Sequence, residues 1–545
     1  MMRVLFVACV LLTTLSARSQ CTEPSHNKVL LVGDSWAFFM GVDQTIDEVL
    51  ARWGHSGYRY LTNLEIAENG AETDDFLEPD KQAEIADRLL SDPEITVVHL
   101  SIGGNDVLGD WHVSFSEART DSLEQAVFQR LQQVVNFILG VRPDVHILWS
   151  GYMYPNFEEV IEDIAPLQTI HPFYGTWEDM GFPSFIQLNT LLNDFSAIVQ
   201  AYTDTMERVS FVNATALMQH TFGQGEPLGV APGGSYPPEE APLPFGHVDY
   251  PSPMASMRDY GLTRDCFHLS PAGYRDMLDL HARKFYHKFL MDDQYLLSSG
   301  SNDGTITGGG TISPTLHLGS TEGEAHALVL TFPTSTMTSA WVGGASIFLR
   351  RDALAGEDPI GSTVDVKVKS GAFGTTFALE AEDLTDAPDA SVTACRFGST
   401  GSNGDWIRID LPLEALPYLR QTGDTQFILS IPSAADGSVT YHDASDPELA
   451  PVLNLRFTDI ITTTDQVPVH PNGTAFPNPT TGLIDLALPA EAMVLEVQVL
   501  DLTGRLLLHH TDDVRALDLS TLPSGQYVLH IRTNTGKVSQ RVVKW

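Results

Sequence analysis

Near residue 295 the spacing of apolar residues switches from alternating strand and helix patterns to a period of two, so the chain must hold at least two unlike folds. Upstream, the runs Lys28-Val-Leu-Leu-Val32, Thr96-Val-Val-His-Leu100, Val145-His-Ile-Leu-Trp149 and Val209-Ser-Phe-Val212 read as buried strands. Helical spacing over residues 37–53, 123–139, 185–202 and 272–290 falls between and after them. Strands alternating with helices predict a parallel α/β sheet covered on both faces. Residues 223–253, dense in Gly and Pro, predict a long irregular insertion. Downstream, Leu328, Leu330 and Phe332, then Val364, Val366 and Val368, alternate with other residues, which predicts antiparallel β structure of sandwich size. A last unit shows three more alternating runs: Ile484/Leu486/Leu488, Leu495/Val497/Val499 and Tyr527/Leu529/Ile531.

The expected organisation is a leader over 1–20, an α/β domain over 21–295, a β-sandwich over 296–460, a linker over 461–474 and a small β unit over 475–545. In the leader, Arg3, the apolar run from Val4 to Leu15 and the small residues near Ala17 predict a secretory signal peptide, too short to span a bilayer. Cys21 follows it, but Arg18-Ser19-Gln20 is a poor match to a lipid-attachment site. No later run is long and apolar enough for a transmembrane segment. The 31 Lys and Arg face 70 Asp and Glu, a formal charge of −39 that disfavours nucleic acid and anionic lipid as partners.

Three cysteines remain beyond the leader, Cys21, Cys266 and Cys395, so at least one is unpaired in a monomer and a disulfide-stapled scaffold is not expected. Neither they nor the 18 histidines have metal-ligand spacing, so no metal site is expected. Strand geometry sets Cys21 and Ser35 at opposite ends of the first strand. Cys266, within the Asp265–His268 segment, is expected as a buried free thiol, bridged to Cys395 only if the sandwich docks there.

The chemistry-bearing residues lie in the α/β domain. Gly33-Asp34-Ser35-Trp36 follows the first strand and opens a helix, where unpaired N–H groups favour a developing anion. Asn69-Gly70-Ala71 follows a second predicted strand, Gly103-Gly104-Asn105-Asp106 follows the strand ending near Ser101, and Asp265-Cys-Phe-His268 precedes the last helix. In this order and spacing the motifs resemble blocks I, II, III and V of the GDSL/SGNH hydrolase superfamily over about residues 28–290. The resemblance implies a flavodoxin-like α/β/α fold of about five parallel strands and a serine esterase needing no metal or organic cofactor. It implies Ser35 as nucleophile, His268 as base and Asp265 as the group orienting the imidazole. The oxyanion hole would be formed by the N–H groups of Ser35 and Gly70 and the Asn105 amide. Asp34 and Asp106 are expected to orient turns. Trp36 replaces the leucine often found there, at a position that packs.

The β regions add context. Gly371-Ala-Phe373-Gly374, Thr425-Gln426-Phe427 and Pro451-Val-Leu-Asn-Leu455 resemble the DNRLRE-like jelly-roll domains of surface proteins. There Trp341, Trp406 and Tyr441 offer either a stacking platform or, as expected, core packing. Phe476-Pro-Asn-Pro-Thr-Thr-Gly482, Asp501-Leu-Thr-Gly504-Arg505, Leu522-Pro-Ser-Gly525-Gln-Tyr527 and the basic close at Lys537, Arg541 and Lys544 resemble the type A C-terminal sorting domain of the type IX secretion system. That implies a Bacteroidetes-like Gram-negative source, the type IX machinery as a partner, and export to the surface or medium. The leading reading is thus an extracellular esterase. Short acyl groups on polysaccharides, lipids or synthetic polyesters are all open as its substrate. The alternative is a non-catalytic surface protein that binds carbohydrate or mediates adhesion.

Overall fold

The computed structural model describes residues 21–231, 233–236, 247–399, 401–431, 436–458, 475–486, 493–501, 505–511, 514–533 and 536–545. The expected signal peptide and the expected 461–474 linker, with Leu488 and Gly504, lie outside the described residues, as does part of the insertion. Two compact units are present, one ending at Phe457 and one beginning at Thr458.

The first unit opens with β1 (His26–Gly33), α1 (Ser35–Val42), α2 (Thr45–Arg52) and β2 (Tyr58–Leu61). Then come α3 (Pro79–Ser91), β3 (Val97–Ser101), α4 (Gly104–Asp110), α5 (Glu117–Val141) and β4 (His146–Ser150). Next are α6 (Phe157–Glu162), α7 (Tyr174–Asp179), α8 (Phe185–Thr203), β5 (Val209–Val212) and α9 (Leu217–Phe222). A hairpin of β6 (Met257–Tyr260) and β7 (Thr263–Leu269) precedes α10 (Pro271–His281), whose turns continue to Phe289. The five strands β1–β5 form a parallel sheet in the order 2-1-3-4-5, the flavodoxin-like arrangement expected. Alternate β1 residues feed opposite faces: Val29 and Leu31 enter one core, Leu30 and Val32 the other.

The helical segment between β1 and β2 differs from expectation. The single helix expected over 37–53 is two helices broken at Gln44, which sits in the left-handed region at φ 54°. The break has outside support. Tyr60 donates its hydroxyl to the Gly41 carbonyl (2.6 Å), and Arg258 pairs with Asp43.

The β domain packs within the same unit. Its strand Gln294–Leu297 pairs with Val452–Phe457, so β pairing begins just before residue 296. Hydrogen bonding runs through Glu324–Phe332, Leu316–Thr321, Gly437–Tyr441, Val342–Gly356, Trp406–Leu411, Ala390–Gly398, Thr363–Ser370 and Thr425–Ser430, then back to Glu324–Phe332. The sandwich therefore closes on itself like a barrel, around Leu330, Ile347, Val366 and Phe427 among others. Trp406 and Tyr441 are buried. Core packing is their place.

Cys21 is bonded to Cys395, with Cα atoms 5.6 Å apart, a pairing the sequence left open, and the conditional Cys266–Cys395 bridge is not formed. The Cys21–Cys395 bond is reachable because the sandwich docks at the end of the sheet where β1 begins, which period-two spacing does not disclose. That bond also occupies the Cys21 sulfur that lipid attachment would need. Cys266 is free and buried.

The second unit stacks a three-stranded sheet (Ala475–Phe476, Leu483–Leu486, Ala516–Asp518) and a four-stranded sheet (Leu506–His510, Val494–Leu500, Gly525–Thr533, Gly536–Lys544) around Ile484, Val497, Leu517, Leu529 and Val542. Among the described residues, no helix is long and apolar enough to cross a membrane.

Candidate active site

Ser35 is the first residue of α1, directly beyond the end of β1. The turn that places it needs Gly33, because a Cβ there would lie 2.0 Å from the Ser101 carbonyl oxygen. Gly33 also joins two motifs. Its N–H donates to Ile66 O (2.8 Å) and its carbonyl accepts from Glu68 N–H (3.0 Å), which brings the Gly70 turn beside Ser35.

His268 arrives from a different element, near the end of β7. Its Nδ1 lies 2.9 Å from Asp265 Oδ2 and its Nε2 lies 2.7 Å from Ser35 Oγ. An ionised carboxylate only accepts, so Nδ1 carries the proton of the neutral ring and Nε2 is left to accept from the serine hydroxyl. Asp265 is fixed in turn, its Oδ1 accepting from the N–H groups of Phe267 and His268 (both 2.9 Å). Phe39 and Phe267 flank the imidazole, with ring centroids 4.8 and 4.2 Å away. Ser35, Asp265 and His268 are all buried.

Asn105 stands on α4, and its Nδ2 donates to the Ala71 carbonyl (2.8 Å). One amide hydrogen thus holds the residue after Gly70, and the amide has a second to offer. Gly70 has φ +87°, a conformation that glycine adopts without penalty, and space lies open where a Cβ would be. Ser35 and Asn105 line one pocket; the turn bearing Gly70 is tied to both through Gly33 and Ala71.

The two flanking aspartates organise turns. Asp34 Oδ1 caps α1 by accepting from Trp36 N–H (2.9 Å), while its Oδ2 accepts from the Tyr152 hydroxyl. Burial raises the Asp34 carboxyl to about 7 and pushes the Tyr152 phenol well up. Asp106, fully buried, accepts from Thr73 N–H (3.0 Å), the Thr73 hydroxyl and Arg130 (2.7 Å). Trp36 packs edge-on between Tyr152 and Tyr274.

Sequence reasoning missed Tyr152, Thr73 and Arg130. Tyr152 had a usable signal: it lies just past the carboxyl end of β4, where open α/β sheets build their crevices. Thr73 and Arg130 carry none, since only the fold brings them together.

Among the described residues, no group of three or more His, Cys, Asp or Glu is placed to hold a metal ion. The arrangement can move a proton from a hydroxyl to an imidazole whose cation a carboxylate stabilises.

Solved structures similar to the chain include the Clostridium thermocellum family 3 carbohydrate esterase (16% identity, TM-score 0.27, 48% of this chain and 98% of that one). Others are the extracellular lipase of Streptomyces rimosus (17%, 0.27, 46% and 98%) and a GDSL-like lipase from Bacteroides thetaiotaomicron (11%, 0.26, 48% and 89%). No curated protein matches the chain. The family model described as a secretion system C-terminal sorting domain matches residues 474–545, so the second unit is a sorting domain that addresses the chain for type IX export to the cell surface or the medium.

Proposed function

We propose that the exported chain is a serine carboxylic ester hydrolase. The observation that carries this reading is the hydrogen-bonded line from Ser35 through His268 to Asp265. Ser35 Oγ attacks the ester carbonyl carbon while His268 Nε2 takes the hydroxyl proton. The carbonyl oxygen becomes an oxyanion held by the N–H groups of Ser35 and Gly70 and the Asn105 amide. Collapse of the tetrahedral intermediate breaks the bond to the alcohol, which leaves with the proton from His268. Water, deprotonated by the same imidazole, then attacks the acyl-serine carbonyl, and collapse releases the acid as His268 returns the proton to Ser35 Oγ. Asp265 keeps the ring in the tautomer these transfers require.

Hydrolysis of p-nitrophenyl acetate tests the reading. The wild type is expected to turn the ester over, and Ser35→Ala to lower kcat by several powers of ten while remaining folded. Near wild-type turnover by Ser35→Ala would sink the mechanism. So would a folded wild type that cleaves no ester in a graded panel.

A further inference from the structure

Beside Ser35 lies an apolar pocket whose position and size bear on the acyl group. Ser35 and Asn105 are among its polar lining, and Val107 of α4 with Leu188, Leu191 and Leu192 of α8 line its apolar part. The three leucines are spaced i, i+3 and i+4, which stacks them on one helix face. His268 does not line the pocket; Phe267, whose ring lies against the imidazole, lines the side toward it. The alcohol must leave from the side where His268 returns the proton, so the space away from His268 is left to the acyl chain. Asn105, which also lines the pocket, sets the oxyanion next to that space.

The pocket is small. Its volume is about 40 Å³. A single water needs roughly 10–15 Å³, so the pocket takes only a few non-hydrogen atoms. The wall has little freedom to retreat, because Val107, Leu188 and Leu191 belong to a packed cluster that also contains Trp111, Phe157 and Cys266.

We propose that this pocket receives the acyl group and restricts the enzyme to short acyl esters, acetyl to butyryl, with Leu191 and Leu192 setting the limit. The proposal rests on the ester hydrolase reading and names the acyl half of its substrate. A longer chain must either displace the leucine wall or stay in water, and each methylene that fails to fit costs about tenfold or more in selectivity.

The experiment measures kcat/KM on p-nitrophenyl acetate, butyrate, octanoate and laurate for the wild type, Leu191→Ala, Leu192→Ala and Leu192→Trp, with thermal melts to show that each is folded. The wild type is expected to favour acetate or butyrate over octanoate by at least about tenfold. Leu191→Ala should raise the octanoate-to-butyrate ratio by about tenfold. Leu192 is only half-buried, so its two variants probe the wall even if Leu191→Ala unfolds. Leu192→Ala should shift the ratio the same way and Leu192→Trp should lower butyrate relative to acetate. Octanoate and laurate cleaved as fast as butyrate by the wild type overturn the proposal and leave the esterase intact. A short-chain profile that no folded wall variant changes overturns the placement. Absence of any Ser35-dependent hydrolysis removes the underlying reading instead, and this one with it.

Discussion

Trp53, the residue that ends α2, stacks on Trp406 of the β domain with ring centroids 5.7 Å apart and planes 27° apart. Both indoles are buried. Around them Arg52 pairs with the buried Asp405 (2.9 Å), and Arg408 bonds Glu23 while donating to the Gly54 carbonyl (3.3 Å). Val452 and Phe348 of the β domain enter the same apolar cluster as Leu50 and Tyr286 of the α/β domain. The two domains therefore share a core, and the Cys21–Cys395 bond closes its margin.

Reducing that bond should cost stability without costing turnover. It joins residues 374 positions apart, so it removes many conformations from the unfolded chain, a contribution of about 2–4 kcal/mol. Cys21 lies before the start of β1 and Ser35 beyond its end, about 25 Å away at 3.3 Å per residue. Urea unfolding of Cys395→Ser should show a lower midpoint, with ester hydrolysis in native buffer unchanged. An unchanged midpoint would mean the shared core alone fixes the unfolding free energy.

Asn105→Ala should lower kcat by roughly 10²–10³ with KM nearly constant, the pattern of a donor that acts on the oxyanion formed during reaction. The residue also holds the Ala71 carbonyl, so a structural role is the competing outcome. Steady-state kinetics separate the two. A loss carried mainly by KM would assign Asn105 to loop positioning rather than to charge stabilisation.

The parts of this architecture that depend on near neighbours were legible in the sequence. Gly33-Asp34-Ser35 is a local turn, and β1, β3, β4 and β5 announce themselves as apolar runs because parallel strands are buried on both faces. Ser35 and His268, 233 residues apart, were paired by motif order, not by periodicity. What stayed hidden depends on partners distant in sequence. Tyr60 and Arg258 bond Gly41 and Asp43 beside the helix break at Gln44, and Arg130 reaches Thr73 and Asp106 from α5. Period-two spacing tells which side of a strand is buried but not which strands pair, so the closure of the β domain was equally illegible.

Cys266 should resist alkylation until the protein unfolds. It has no exposed surface, and burial, followed by the nearby Asp265 charge, pushes its thiol well up, which keeps it in the unreactive protonated form. Iodoacetamide should label it only in denaturant, and peptide mapping should then find one labelled thiol per leader-free chain under non-reducing conditions. Rapid labelling of native protein at neutral pH would contradict this placement.

The shared core should also make stability fall in acid through His55. This side chain is buried against Tyr58 and Phe348, and its Nε2 lies 3.3 Å from the His287 carbonyl. Burial, helped by the Arg408 charge, lowers its pKa from 6.5 to about 3. The folded protein thus keeps a neutral ring where the unfolded chain binds a proton. Between pH 6.5 and about 3 the unfolded state holds the extra proton, so stability falls with falling pH, by about 1.4 kcal/mol per unit from this one group. Other groups titrate in the same range; Asp34, raised to about 7, acts in the opposite direction between 3.8 and 7. A comparison with His55→Leu isolates the histidine, because the other groups are common to both proteins. Urea unfolding at pH 7.5, 6 and 5 should show the wild type losing about 1.4 kcal/mol per unit relative to His55→Leu below pH 6.5. Parallel stability profiles for the two proteins would mean that His55 gains its proton in the folded state as readily as in the unfolded chain.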